Sequence, residues 1–106
     1  MARSWTLEAA REMLGEVRER TARAVAAVER LEQAAVGDGA RRAAAAAELR
    51  RHVSRWMREM DALGVDVRGA WCVEFDTGEG SFCWAWPEQR LERFRPAGSD
   101  TSTPIQ

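Results

Sequence analysis

The sequence predicts an α+β domain: a long antiparallel helical hairpin packed against a small antiparallel sheet of two or three strands. Three observations carry this. Apolar residues recur at alternating spacings of three and four from Leu7 to Ala35, and again from Ala46 to Leu63, the signature of a buried helical stripe. The turn sequence Gly37-Asp38-Gly39 separates the two runs. After Val65 the apolar period falls to two, and Trp71, Phe75, Phe82, Trp84 and Trp86 gather there. A chain of 106 residues has room for one domain, residues 1–106.

The first helix is expected over about 7–35. Its seam is Leu7, Ala10, Leu14, Val17, Thr21, Ala24, Val28, Leu31 and Ala35, with Met13 and Val25 widening the stripe. Thr6 is the expected N-cap, since its hydroxyl can accept from a free first-turn N–H. Glu8, Glu12 and Glu16 crowd the positive end of the helix dipole. Glu16–Arg20 and Glu19–Arg23 are spaced for i,i+4 ion pairs, and Gly15 is a weak point inside the helix. The second helix is expected over about 40–63, with the seam Ala46, Leu49, Val53, Trp56, Met60 and Leu63 and a stop at Gly64.

A β-hairpin follows at about 71–86, turning on Thr77-Gly78-Glu79-Gly80. With the turn centred on Gly78-Glu79, Asp76 opposes Ser81, Phe75 opposes Phe82, Val73 opposes Trp84 and Trp71 opposes Trp86. Directly opposed residues share a face, so one face is aromatic and packs on the helices. The other collects Cys72, Glu74, Asp76, Ser81, Cys83 and Ala85. Residues 91–95 read as a third strand or a turn, and 96–106 as a flexible tail.

Composition narrows the function classes. Hydrophobic residues are 45% and charged residues 31%, with a formal net charge of −1; this excludes a uniformly basic nucleic-acid binder. All sixteen basic residues are Arg, and Tyr is absent. No apolar run approaches a membrane span, and the N-terminal residues lack the apolar core of a signal peptide. These point to a cytoplasmic protein whose two cysteines are free thiols.

Trp5-Thr6-Leu7-Glu8-Ala9-Ala10 at a helix start, Leu63 to Gly69 at a helix-to-strand junction, Val73-Glu74-Phe75 in a strand and Pro104-Ile105 near the end together resemble an uncharacterised bacterial family, domain of unknown function 2203. Its most distinctive motif, Cys-Trp, two variable residues, Gly and Glu, is similar to Cys83-Trp84-Ala85-Trp86-Pro87-Glu88. This chain has Pro87 for the family's Gly and Arg95 where a His falls, and lacks an Arg over Ser99 to Thr103. The resemblance implies the fold and no activity.

Three places are candidates for function. Cys72, Glu74 and Cys83 share the polar sheet face; with Glu88 or His52 they offer thiolate and carboxylate ligands for Zn²⁺ or a softer metal, or a redox pair. The alternative is two small apolar cysteines beside a solvated Glu. No zinc spacing is present, so no cofactor is expected unless a metal sits at Cys72 and Cys83. His52 has no identifiable orienting acid or nucleophile and reads as a rim residue. Segment 40–60 holds six Arg against two Glu, and segment 61–106 four Arg against eight acids. Arg51, Arg55 and Arg58 share one helical face, suited to an acidic protein partner and less to nucleic acid, of which no motif is present; the alternative is a solvated outer face. Finally, helices of 24–29 residues run to about 36–43 Å, longer than a small sheet can cover. The apolar stripe at Val25, Val28, Leu31 and the Ala43–Ala47 run then calls for a second copy, in a coiled-coil-like four-helix bundle. The reading as a whole is a non-enzymatic homodimeric interaction or scaffold module, with a small ligand- or metal-binding protein as the alternative.

Overall fold

A computed structural model describes residues 4–35 and 37–105. Helix α1 (Leu7–Ala34) and helix α2 (Gly39–Leu63) form the hairpin. Five strands follow: β1 (Asp66–Gly69), β2 (Cys72–Asp76), β3 (Gly80–Ala85), β4 (Arg93–Pro96) and β5 (Thr103–Pro104). They form one antiparallel sheet in the order β1-β2-β3-β4-β5. The architecture is α+β as expected, but the sheet has five strands and not two or three. β1 arises where Val65 to Val67 alternate. β5 lies within residues 96–106, where Thr103 pairs with Phe94 and the half-buried Ile105 packs against the core. Gln106, the last residue of that segment, lies outside the described residues.

The helix boundaries follow local chemistry. Thr6 caps α1 by accepting from Ala9 N–H at 3.0 Å. Asp38 caps α2 by accepting from Arg41 N–H at 2.9 Å. Gly64 ends α2 in the left-handed region, φ 85°, which costs a residue without Cβ little. The ion pairs Glu16–Arg20 and Glu19–Arg23 form at 2.6 and 3.4 Å. Arg20 also reaches Glu59 across the helix pair at 3.0 Å.

The hairpin register is the expected one: Asp76 opposes Ser81, Phe75 opposes Phe82 and Val73 opposes Trp84. Trp71 sits just outside β2, in the β1–β2 turn with φ 62°, and its carbonyl still accepts from Trp86 N–H at 2.9 Å. Gly80 opens β3 against β4 so closely that an added Cβ would lie 2.5 Å from the Arg95 carbonyl oxygen. No other residue fits there without moving the strand.

The core lies at one end of the hairpin. Val73, Phe75 and Trp84 from the sheet meet Leu14 and Val17 of α1 and Trp56 and Met60 of α2, with Trp5, Val65 and Leu91 at the margins. Trp56, 1% exposed, joins the layers. Its indole N–H donates to the Thr21 hydroxyl at 2.8 Å, and that hydroxyl donates to the Val17 carbonyl at 2.7 Å. Its ring meets Trp71 edge-on at 5.0 Å. Trp5 similarly meets Phe75 at 5.2 Å, and its indole N–H donates to the Gly64 carbonyl at 2.9 Å.

Beyond the sheet the hairpin continues as a two-helix arm. Val25, Ala27 and Val28 are buried there within the single chain, and Leu31 is half-buried. The α1 part of the stripe expected to need a second copy is therefore buried within the single chain. What stays exposed is the outer surface of early α2: Ala40, Ala43, Ala44 and Ala46. Ala46, expected on the inward seam, is exposed; Ala45 and Ala47 are the half-buried residues instead. The chain measures 49 × 25 × 24 Å, with a radius of gyration of 15.8 Å, against about 13 Å for a compact domain of this length.

Thr21→Val tests the joint. It keeps the side-chain shape and leaves the buried Trp56 N–H without an acceptor, which costs about 1–3 kcal/mol. Urea unfolding followed by tryptophan fluorescence should show that loss. An unchanged midpoint would mean that the hydroxyl does not hold the indole.

Candidate functional site

The face of the sheet turned away from the helices carries a polar cluster. Period-two alternation places Cys72, Glu74 and Cys83 there, as expected, and β1 and β4 add Arg68, Arg93 and Arg95. Together with Asp100 and Ser102 these residues line a cavity of about 270 Å³.

Glu74 is its centre, a carboxylate 8% exposed. Its Oε1 accepts from Arg95 Nη2 at 2.7 Å and from Arg68 Nε at 2.9 Å; its Oε2 accepts from Arg95 Nε at 3.2 Å. The forked contact from Arg95 is the strongest geometry available to a guanidinium and a carboxylate. Arg95, helped by Arg68 and opposed by burial, holds the Glu74 carboxyl below the usual carboxylate range. The Cys83 thiol lies 3.6 Å from Glu74 Oε2 and 3.7 Å from the Ser81 carbonyl. Burial pushes its pKa up, and the negative charge of Glu74 pushes it further. Cys83 is therefore a protonated, weakly nucleophilic thiol. Cys72 is half-buried on the same face, and both cysteines are free.

The expected set is thus only partly assembled. Cys72, Glu74 and Cys83 converge. Glu88 does not line the cavity: its Oε1 accepts from Ala85 N–H at 2.7 Å and from Arg93 Nη2 at 2.8 Å. Its carbonyl also accepts from the Trp84 indole at 2.8 Å. The Cys83-to-Glu88 motif thereby ties off the end of β3. His52 is half-buried on α2 and does not line this cavity. Among the described residues, no three His, Cys, Asp or Glu side chains form a group able to hold a metal ion. The Glu74 oxygen that faces Cys83, Oε2, already accepts from Arg95.

The sequence reading missed Arg68 and Arg95. Arg68 is six residues from Glu74 and Arg95 is twenty-one away; their signals were that Arg95 falls in the last possible strand, where the family's His falls, and that Arg68 lies in the Leu63 to Gly69 stretch. The second candidate, Arg51, Arg55 and Arg58, does come together. With Arg50, Ala47 and Ser54 these line a shallow basin of about 480 Å³ on the outer side of α2. Arg51 pairs with Glu48. Arg50, Arg55 and Arg58 make no ion pair or hydrogen bond with any described residue.

Glu74→Gln removes a charge that the fold has organised. At pH 7 it should cost about 1–3 kcal/mol, the scale of losing charge-assisted hydrogen bonds to partly exposed partners. Because the folded pKa is depressed, the contribution of Glu74 is fully present above the unfolded carboxylate pKa of about 4.3 and is lost as pH falls through the folded value. Urea midpoints of the two proteins should therefore differ at pH 7 and converge towards pH 3; a constant gap would show that charge is not the cause. An aromatic disulfide reagent should label Cys72 before Cys83, and equal rates would contradict the buried thiol.

Comparison with curated proteins and with solved structures returned no match. A family model described as an uncharacterized conserved protein matches residues 3–98, from just before the Thr6 cap to just past β4. None of the described helices is long and apolar enough to cross a membrane. Because the family match spans nearly the whole chain, the protein belongs to the DUF2203 family of uncharacterised conserved proteins.

Proposed function

We propose that this protein works by binding and not by catalysis, as a module that pairs with a second copy through its helical arm and takes an acidic protein partner on the arginine face of α2. The observation that carries this is the uncovered arm. The sheet and the aromatic core occupy one end of a molecule 49 Å long. Past Ala24 the buried residues of α1 are Val25, Ala27 and Val28, and α2 presents Ala40, Ala43, Ala44 and Ala46 to solvent. Alanine is small and apolar, so a second arm can approach closely, and two hairpins related by a two-fold axis make a four-helix bundle. Arm charges of both signs, Glu29 and Glu32 on α1 and Arg41 and Arg42 on α2, are exposed and available to pair across such an axis.

The arginine face supports the second half of the reading. Three guanidiniums on one helical surface with no ion pair among the described residues attract a negatively charged partner and steer its approach. The polar sheet face, by contrast, has already satisfied its carboxylate internally, and its buried thiol is held neutral. That weakens a nucleophilic or metal-binding role for Cys72, Glu74, Cys83 and Glu88.

Native mass spectrometry and light scattering on the untagged protein test the pairing. The expected species has twice the 11.9 kDa subunit mass. The double variant Ala43→Arg/Ala44→Arg should return it to a single subunit without loss of helicity, since both positions are exposed in one chain. A single subunit at all concentrations up to about 100 μM, far above the dissociation constant of a specific dimer, would remove the dimer from this reading. Binding of a poly-glutamate peptide that weakens with salt and with Arg55→Gln/Arg58→Gln would support the basic face; binding indifferent to both changes would not.

A further inference from the structure

A second cavity, of about 380 Å³, lies at the sheet end between the first turns of α1 and the segment joining β3 to β4. Its floor is apolar, formed by Leu14, Leu91 and the backbone of Gly15; its rim carries Arg11, Arg18 and Arg90, and no carboxylate lines it. Arg18 Nη2 donates to the Gln89 side-chain oxygen at 2.5 Å. That partner is a neutral amide, so it orients the guanidinium without cancelling its charge. Arg11 and Arg90 make no ion pair or hydrogen bond with any described residue. Arg11 also borders a shallow neighbouring groove with Glu8 and Glu12, which leaves Arg18 and Arg90 as the charges specific to this cavity.

Gly15 supplies an independent observation. It sits inside α1, where glycine weakens a helix, yet nothing in the packing requires it: an added Cβ would meet no atom within 4 Å. The side chain it lacks would project into open space at the cavity it lines. A glycine that the packing does not require, lining a cavity edged by arginines that no carboxylate among the described residues pairs, is explained by keeping that cavity open.

We propose that this cavity binds a small organic anion, an oxyanion carried on a compact apolar group. The size suits a small ligand. The guanidiniums would take the oxyanion, for which their fork geometry is matched, and Leu14 and Leu91 the apolar body. The site lies apart from the arm and from the arginine face of α2 and does not depend on either.

The test uses the full chain and two probes, benzoate and phenyl phosphate, with uncharged benzyl alcohol as the control. Binding is followed by NMR of arginine Nε–Hε and backbone amide signals. Saturable shifts at Arg18, Arg90, Gly15 and Leu91 with either anion, and none with the alcohol, support the site; the anion that binds identifies the head group. Arg18→Gln and Arg90→Gln should each weaken binding about tenfold, equivalent to about 1.4 kcal/mol. Gly15→Leu should abolish it with a thermal midpoint no lower than that of the parent, so that lost binding cannot be lost folding. Shifts spread over all the arginines or centred on Arg50, Arg55 and Arg58, equal binding of the alcohol, or full binding by Gly15→Leu would each overturn the proposal.

Discussion

The structure turns on a polar bond inside an apolar core. Trp56 is the largest side chain that α2 sends inward, and burying an indole removes a great deal of apolar surface from water. It also buries an N–H, which must find an acceptor or cost the fold most of that gain. Thr21 supplies the acceptor from α1 and passes its own proton to the Val17 carbonyl. The pair fixes how far α1 and α2 can slide along one another, because only one relative position brings hydroxyl and indole together. It also fixes the sheet, since Trp71 stacks edge-on against the same ring. Among the described residues no buried side-chain nitrogen or oxygen lacks a hydrogen-bond partner. The core thus has a single specified arrangement, which close packing of Leu, Val and Ala alone would not guarantee.

Below that joint, the alternation of β2 and β3 divides the chemistry of the molecule in two. Val73, Phe75 and Trp84 point to the helices, while Glu74 and Cys83, one residue out of step, point away. A sheet with no second layer over its outer face would normally leave those groups to water. Here arginines from the flanking strands fold over Glu74, so the outer face carries a compensated ion cluster in place of a reactive carboxylate. The pKa directions agree: the acid is held ionised and the thiol is held protonated.

Much of this was legible in the sequence, and the limits of legibility are physical. The helix seams, the Thr6 cap, the Gly64 stop and the β2–β3 register are local or nearly so, and each depends on spacing that can be counted along the chain. β1 and β4 are four residues long and β5 two. Such segments are too short for alternation to decide between strand and turn, and they become strands because a neighbour offers an edge: β2 to β1, β3 to β4 and β4 to β5. For the polar cluster, Cys72, Glu74 and Cys83 could be placed on one face by counting. Arg68 and Arg95 were not, because their approach to Glu74 depends on how β1 and β4 pair onto the hairpin: residues 91–95 read as a strand or a turn, with no partner or register to place Arg95. Glu88 was legible as part of a motif but not in its role, since a carboxylate that caps a turn and one that binds a metal look alike in sequence. The rim of the cavity beside Gly15 was hidden for a like reason: Arg11 and Arg18 are one helix face, but Arg90 arrives on a connecting segment.

The arm poses the remaining physical problem. A helix is costly to start and cheap to extend, so α1 and α2, anchored at the Trp56 joint, can run on past the sheet. Extension still needs some packing to hold two helices together, and the arm provides little. Its buried residues are Val25, Ala27 and Val28, and along early α2 nearly every side chain is alanine or arginine. A methyl group contributes about 0.8 kcal/mol when fully buried, whereas ordering each residue costs at least as much in backbone entropy. Two such helices gain little from each other alone, and the balance shifts decisively once another surface covers the alanines. A length of chain this sparing of large side chains leaves its burial to be completed by the proposed pairing of arms, in which a second copy laid over Ala43, Ala44 and Ala46 would add the contacts that one hairpin lacks.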